Sequence, residues 1–331
     1  MTFIGFHASH EQLPPSALLE AVVEAERVGF DGAFSADHLA PWTPQQGHSG
    51  STLAWMGAAL ASTRFSIGAV ATPGYRYHPV VMAHAFATWG ELFPGRYFPA
   101  LGSGELLNEH VIGQPWPSKD ERTARLGECV EVIRALLDGQ EVSHDGRISV
   151  DRARLWSLPA VVPPLMATAT STATAAWAAA WAQGLVTVGT EPDGVAALVD
   201  AYRGAGGEGP VCLQVHIAPG ESEAAVSGLV REQWRHGVLT PPEIWDIAQP
   251  EEFSALAGDP TDAELRRGVV ASADLDEIVQ RIAAMVAVGV DRLYVHEISG
   301  DQRSYLAGTA PELLTRLRAA IGDAGTTGAD R

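Results

Sequence analysis

Short apolar runs alternate with longer amphipathic stretches along the whole chain. The run at residues 3–6 is followed by residues 15–28, where Leu18, Val22 and Ala25 recur at helical spacing and Gly29 supplies a stop. A strand is predicted at once afterwards, at residues 32–35. The same punctuation returns far along the chain. "AERVGFDGAFS" (residues 25–35) and "MVAVGVDRLYV" (285–295) both read helix end, glycine, apolar residue, aspartate, strand, and "AAAWAQGLVTV" (178–188) is a looser copy. Counted this way, strands are predicted at residues 3–6, 32–35, 65–70, 97–101, 165–169, 185–188, 211–217 and 293–296, with helical patterns between them. Buried parallel strands joined by crossover helices accommodate such alternation, and eight of them close into an α/β fold of the (β/α)8 barrel type. An open doubly wound sheet is the alternative.

Two insertions interrupt the rhythm, after strands four and seven. The first carries a helix with Leu126, Cys129, Val130, Ile133, Leu136 and Leu137 on one face and Gly139 as its stop, then a hairpin with Asp145-Gly146 as a two-residue turn. The second, residues 219–293, is too long for one crossover helix and predicts a cap over the barrel mouth. Its last helix opens at Asp274-Leu275-Asp276-Glu277, a predicted capping box. Residues 1–321 read as one barrel domain and 322–331 as a frayed tail.

Composition narrows the function. The chain has 331 residues, is 46% hydrophobic and carries 22 Lys+Arg against 40 Asp+Glu, a net charge of −18. That charge repels nucleic-acid phosphates and anionic lipid, so neither nucleic acid nor membrane is an expected partner. Cys129 and Cys212 are too few for a disulfide framework, and Cys129 reads as a reduced core thiol. No basic-then-apolar leader opens the chain and no apolar run is long enough to span a bilayer. The expectation is a cytoplasmic enzyme acting on a small molecule.

In a barrel the chemistry gathers at the C-terminal strand ends, and those positions are polar here. "HASHEQ" (7–12) follows strand one, Asp37-His38 with Trp42 follows strand two, and Thr72 with Gly74-Tyr75-Arg76 follows strand three. "GSGELLN" (102–108) follows strand four and "TATST" (168–172) strand five. Beside Asp37 at such an end, a neutral His38 imidazole suits removal of a substrate hydroxyl proton as hydride leaves the same carbon. Glu105 follows a glycine-rich loop that lets backbone approach a ligand, although this is not the dinucleotide fingerprint, which needs a third glycine and the first strand. Trp42 can wall an aromatic ligand, or it and Trp55 can simply be core. The hydroxyls from Thr168 to Thr174 before an alanine-rich helix fit a phosphate cradle or an empty N-cap equally well. His7 with His10, Glu109 with His110, and His296 invite a metal, but no H-x-H closes strand one and no H-E-x-x-H lies on a helix, so no metal site is expected.

Together, "SADHLAPW", "TPGYRYHPVVMAHAFATWGELFPGRYFPALGSGELLNE" and the "HASHEQ" opening resemble the luciferase-like flavin and deazaflavin oxidoreductases, and within them the F420-dependent glucose-6-phosphate dehydrogenase branch, over nearly the whole chain. The resemblance implies a (β/α)8 barrel that binds coenzyme F420 in its mouth, as a homodimer. It implies His38 as the base for the substrate hydroxyl, Glu105 exchanging a proton with the cofactor, Trp42 beside the reacting centre and Glu11 as a supporting acid. Asp37, Thr72, Gly104, Asn108, Thr168, Thr170 and Ser171 would contact the cofactor, and Arg267 would stand where the relatives bind a substrate phosphate. Three departures bear on this. Gly189-Thr190-Glu191 and "LTPPEIWDI" lack the two phosphate lysines of that branch, and an acid in place of a base argues against glucose 6-phosphate. The branch's diglycine after strand five is Thr170-Ser171 here, which resembles a side branch using FMN in place of F420. The sequence therefore predicts hydride transfer on F420 or FMN, with an FMN-linked monooxygenase and a non-catalytic flavin-binding barrel as the competing readings.

Overall fold

The computed structural model describes residues 2–327. All eight predicted runs are strands of one closed parallel barrel: β1 (Phe3–Ala8), β2 (Gly32–Ala36), β3 (Ser66–Ala71), β4 (Tyr97–Leu101), β5 (Met166–Thr168), β6 (Leu185–Val188), β7 (Val211–Pro219) and β8 (Arg292–Glu297). Closure is made by β7, which pairs with β6 from Val211 to Gln214 and with β8 from Cys212 to Ile217. An open sheet would leave those edges unpaired.

Helices cover the outside. Helix Pro15–Val28 ends at Gly29, whose φ of 106° lets its N–H reach back to the Ala25 and Glu26 carbonyls. Inside the barrel, Phe34, Phe98, Met166, Val186, Cys212 and Tyr294 form an apolar plug. Gly68 in β3 gives these rings their room, since a β-carbon there would lie 2.2 Å from the Phe98 ring. Further along β5, β7 and β8 the lumen turns polar, from Met166 to Thr168, from Cys212 through Gln214 to His216 and from Tyr294 to His296, because side chains on one face recur at every second position.

Four local readings are corrected. The hairpin pairs Asp145 with Ser149, so its turn holds Gly146, Arg147 and Ile148 and is one residue longer than the two-residue reading. Asp274 does cap helix Leu275–Val286 through the Asp276 N–H, but Glu277 accepts from Ser272 Oγ at 2.7 Å and completes no box. The second insertion also holds a strand, Val270–Ser272, paired to the end of β7 and too short to announce itself by periodicity. Finally, helix Thr309–Thr327 runs into the stretch read as a frayed tail, of which residues 328–331 lie outside the described residues. Both cysteines are free and buried, and burial pushes each thiol up to about 12. Among the described residues no helix is long and apolar enough to cross a membrane.

One carboxyl makes stability depend on pH. Glu297 is 3% exposed at the end of β8 and accepts from Ser299 N–H at 3.0 Å, Ser299 Oγ at 2.6 Å and Gln302 Nε2 at 3.0 Å. Burial outweighs those bonds and raises its carboxyl from 4.5 to about 7. The folded state therefore binds this proton more tightly than the unfolded one, so the contribution is complete below pH 4.5 and is lost as pH rises to about 7. Glu297→Gln is predicted to remove on the order of 3 kcal/mol of pH-dependent stability across that window. Thermal melts at a series of pH values check this, and a variant profile parallel to that of the parent protein contradicts it.

Candidate active site

The C-terminal strand ends and the second insertion enclose a cavity of about 1030 Å³. His38 stands at its centre, two residues past β2, with 8% of its surface exposed. Its Nδ1 lies 3.3 Å from Glu11 Oε1 and its Nε2 lies 4.0 Å from Glu105 Oε2. The Nδ1 contact is close but off the hydrogen-bonding axis, leaving Nδ1 formally unpartnered. Glu11 is itself held by Ser9 Oγ at 2.7 Å. Glu105 bonds Asn108 Nδ2 at 3.3 Å, and Asn108 Oδ1 accepts the Leu39 N–H at 2.8 Å, so one amide ties the ends of β2 and β4 together. Burial raises the Glu105 carboxyl above its ordinary value, against the opposing pull of His38. Trp42 packs on His38 with ring centres 4.9 Å apart and stacks on His236 at 5.4 Å and 6°.

Asp37 serves the framework. Its carboxylate accepts the Thr52 N–H at 3.0 Å, starting helix Thr52–Ser62, and pairs with Arg76 at 3.1 Å. Arg76 reaches Glu109 from the other side at 3.3 Å. One buried guanidinium thus joins two buried carboxylates and locks the ends of β2, β3 and β4. Burial raises the Glu109 carboxyl, with Arg76 opposing, while the guanidinium is raised despite its own burial by Glu109 and then Asp37.

Thr72, Gly104, Asn108, Thr168, Thr170 and Ser171 all line the cavity, with Asp37, His38, Trp42, Glu11 and Glu105. Gly104 is required there: its φ is +87°, and a β-carbon would fall 2.9 Å from Thr72 Cγ2. Ser171 is an N-cap, its hydroxyl accepting from Thr174 N–H at 3.3 Å, so that side chain is already engaged. Beyond these the wall gains two cations. Lys119 Nζ donates to Ser103 Oγ at 2.8 Å, and Arg122 lies over the Trp116 ring at 4.5 Å with its Nε unpartnered.

Other expected or considered residues lie apart. Arg267 is a correction: its side chain is 69% exposed, pairs with Glu264 at 3.7 Å and does not line the cavity, because the short helix Asp262–Leu265 turns it outward. Glu191 also points away, to Arg281 at 3.0 Å. His10 packs against Trp55 while His7 faces the lumen, and Glu109 turns to Arg76 while His110 bonds its own helix, so neither pair converges. Among the described residues no group of three or more His, Cys, Asp or Glu could hold a metal ion.

Arg76, Lys119, Arg122, His216 and His236 carried no site role in the sequence, and Glu109, His7 and His296 were weighed there only as metal ligands; the four imidazoles share the cavity wall. Alternation inside the strands is the signal that finds His216 and His296, because a residue two or four places beyond a plug residue faces the lumen. All four are neutral: burial lowers His216 and His236 to about 3 and lowers His7 and His296 well below the ordinary value.

The chain matches the family model described as luciferase-like monooxygenase over residues 1–295. The F420-dependent glucose-6-phosphate dehydrogenase of Beutenbergia cavernae is 36% identical to it, over 96% of this chain and 98% of that protein. The protein of the same name from Microbacterium testaceum is 36% identical over 95% and 97%. Among solved structures, an F420-dependent secondary alcohol dehydrogenase in complex with an F420-acetone adduct superposes with a TM-score of 0.87 at 26% identity, covering 97% of this chain and 99% of that one.

The Asp37–Arg76–Glu109 cluster yields a direct test. Arg76→Met leaves two carboxylates buried without their cation and is predicted to cost about 3–5 kcal/mol in urea unfolding, part of which Arg76→Met with Glu109→Gln recovers. A loss below about 1 kcal/mol would mean the cluster is solvated like a surface pair.

Proposed function

The chain belongs to the luciferase-like monooxygenase family, and on that premise we propose that it is an oxidoreductase moving hydride between a small alcohol or carbonyl compound and F420, with FMN as the alternative cofactor. The observation that carries the reading is His38 poised between Glu11 and Glu105 in a cavity of about 1030 Å³ at the strand ends. That volume is at the upper end for ligand sites and fits a ring cofactor with a small substrate beside it. The donor set fits as well. Lys119, Arg122, Ser103 and the hydroxyls of Thr168 and Thr170 lie along one wall and suit the phosphate-bearing side chain that both cofactors share. Thr72, Gly104 and Asn108 would flank the ring.

When bound, the cofactor supplies the acceptor for hydride. The protein handles the protons. Glu11 opposite Nδ1 orients the His38 imidazole so that Nε2 faces the cavity as the base, and its negative charge favours the imidazolium formed when the substrate hydroxyl gives up its proton. In the reverse direction the same Nε2 returns the proton to a carbonyl oxygen. Glu105, raised by burial, is suited to hold a proton and exchange it with a ring nitrogen, and Asn108 fixes which way its carboxyl points. Trp42, Trp234 and Phe253 exclude water from this side.

The FMN reading is favoured by Thr170-Ser171, which adds side chains where the F420-using branch has two glycines. We place the enzyme in the cytoplasm, as its two unpaired thiols suit, and as a homodimer. Exposed apolar side chains support the dimer: Trp156 (85%), Leu158 (42%), Val161 (50%) and Val162 (44%) adjoin the end of helix Pro79–Leu92, where Leu92 is 57% exposed.

His38→Ala is predicted to lower kcat for alcohol oxidation by about 10²-fold or more while the cofactor dissociation constant changes less than about threefold. Steady-state turnover and fluorescence titration with F420 and FMN side by side measure both, and unimpaired turnover removes His38 from the chemistry. Oxygen uptake with reduced FMN would move the reaction to the monooxygenase class. Trp156→Lys is expected to give a monomer by light scattering, and an unchanged mass removes that face from the dimer.

A further inference from the structure

Beyond the reacting centre, the deep side of the cavity is built from neutral groups whose hydrogen-bonding sense is determined. Gln12 sits at its base, 4% exposed, with its Nε2 donating to the Ile298 carbonyl. Its Oε1 is therefore the acceptor facing His296, so His296 carries its proton on Nε2 and donates across 2.6 Å. His296 Nδ1 is then a bare lone pair, and the contact of 2.8 Å to His216 Nδ1 requires the proton to sit on His216. The chain of tautomers ends with His216 Nε2, a lone pair on the cavity wall with no protein donor among the described residues. Nearby, His7 Nδ1 and His236 Nδ1 are buried without partners although both rings line the cavity, and they are only 4% and 7% exposed. Trp234 packs on both His216 and His236, at 4.3 and 4.6 Å, and Trp42 continues the wall to His38.

Two substrate classes fit this wall badly. The cations lining the cavity among the described residues are Lys119 and Arg122, both from the segment after β4, so a phosphate against β1, β7 and β8 would meet no positive charge. A wholly apolar substrate would strand the His216 lone pair, which unlike the enclosed nitrogens of His7 and His236 faces the cavity. We infer that the substrate carries, besides the hydroxyl that meets His38, a second uncharged hydroxyl that donates to Nε2 of His216, which makes the preferred class neutral polyols such as diols and unphosphorylated sugar-like rings. This rests on the reading of His38 as the base at the reacting hydroxyl.

The test uses cyclohexane-1,2-, -1,3- and -1,4-diol, cyclohexanol and cyclohexyl phosphate on the full chain, the tightest-binding isomer serving as the diol in every comparison. Binding is followed by quenching of tryptophan fluorescence without cofactor, and turnover is followed with cofactor. The diol is expected to bind at least about tenfold more tightly than cyclohexanol, and the advantage is expected to shrink to about twofold or less in His216→Phe. Gln12→Leu, which releases the tautomers from beneath without lining the cavity, is expected to erode the preference in the same direction and serves if the ring replacement impairs folding. Equal binding of diol and cyclohexanol, a diol preference that survives both variants, or tightest binding of the phosphate overturns the inference. A His216-dependent preference without turnover upholds it while removing the dehydrogenase reading, and turnover without preference does the opposite.

Discussion

Closure of the barrel is the constraint from which the rest of the molecule follows. Because β7 pairs with both β6 and β8, every strand is buried on both edges and its side chains must alternate strictly between the lumen and the helical layer. The lower lumen fills with Phe34, Phe98, Met166 and Tyr294. Thr168 and His296 stand one step above Met166 and Tyr294 and face the mouth, and the loops after β1, β2 and β4 deliver Glu11, His38 and Glu105 to it.

Charge is then sorted by environment inside a strongly acidic protein. Arg76 neutralises Asp37 and Glu109 and turns two carboxylates into scaffold. Glu11 and Glu105 have no such ion-pair partner and instead bracket His38, so their carboxyl groups are available to chemistry. Four further imidazoles are held neutral by burial and act as hydrogen-bonding wall. Lys119 and Arg122 collect positive charge on the opposite side. A single cavity thus presents an anion-seeking wall, a proton-handling centre and a neutral polar floor. That division is what a phosphate-tailed cofactor and an uncharged substrate would each require.

Much of this was legible in the residues. Eight apolar runs, two of them announced by the helix stops Gly29 and Gly289, locate the barrel strands, and polarity just after the runs locates His38, Glu105, Thr72 and Asn108 at the cavity. What escaped needed three-dimensional information. Val270–Ser272 is a strand only because the end of β7 offers an edge to it. Asp37 looks like a ligand group beside His38, yet its carboxylate is claimed by Thr52 and Arg76, residues whose approach depends on how β2 and β3 are registered. Arg267 carried a substrate role by position, but the helix before it turns the side chain to solvent. The histidine floor draws on β1, β7, β8 and the second insertion, and no local spacing links those segments.

The central claim is that a hydroxyl-bearing carbon is oxidised in this cavity by direct hydride loss to a bound ring cofactor while His38 takes the hydroxyl proton. The most direct measurement supplies the enzyme, anaerobically and with each cofactor in turn, with a secondary alcohol carrying deuterium on the carbinol carbon in ordinary water, and follows where the label goes. The account predicts a slowed reduction step with either cofactor, and deuterium retained on a ring carbon of reduced F420, whereas reduced FMN would exchange the label on its ring nitrogen with water. Label released wholly to solvent during a reduction that shows no slowing would contradict it.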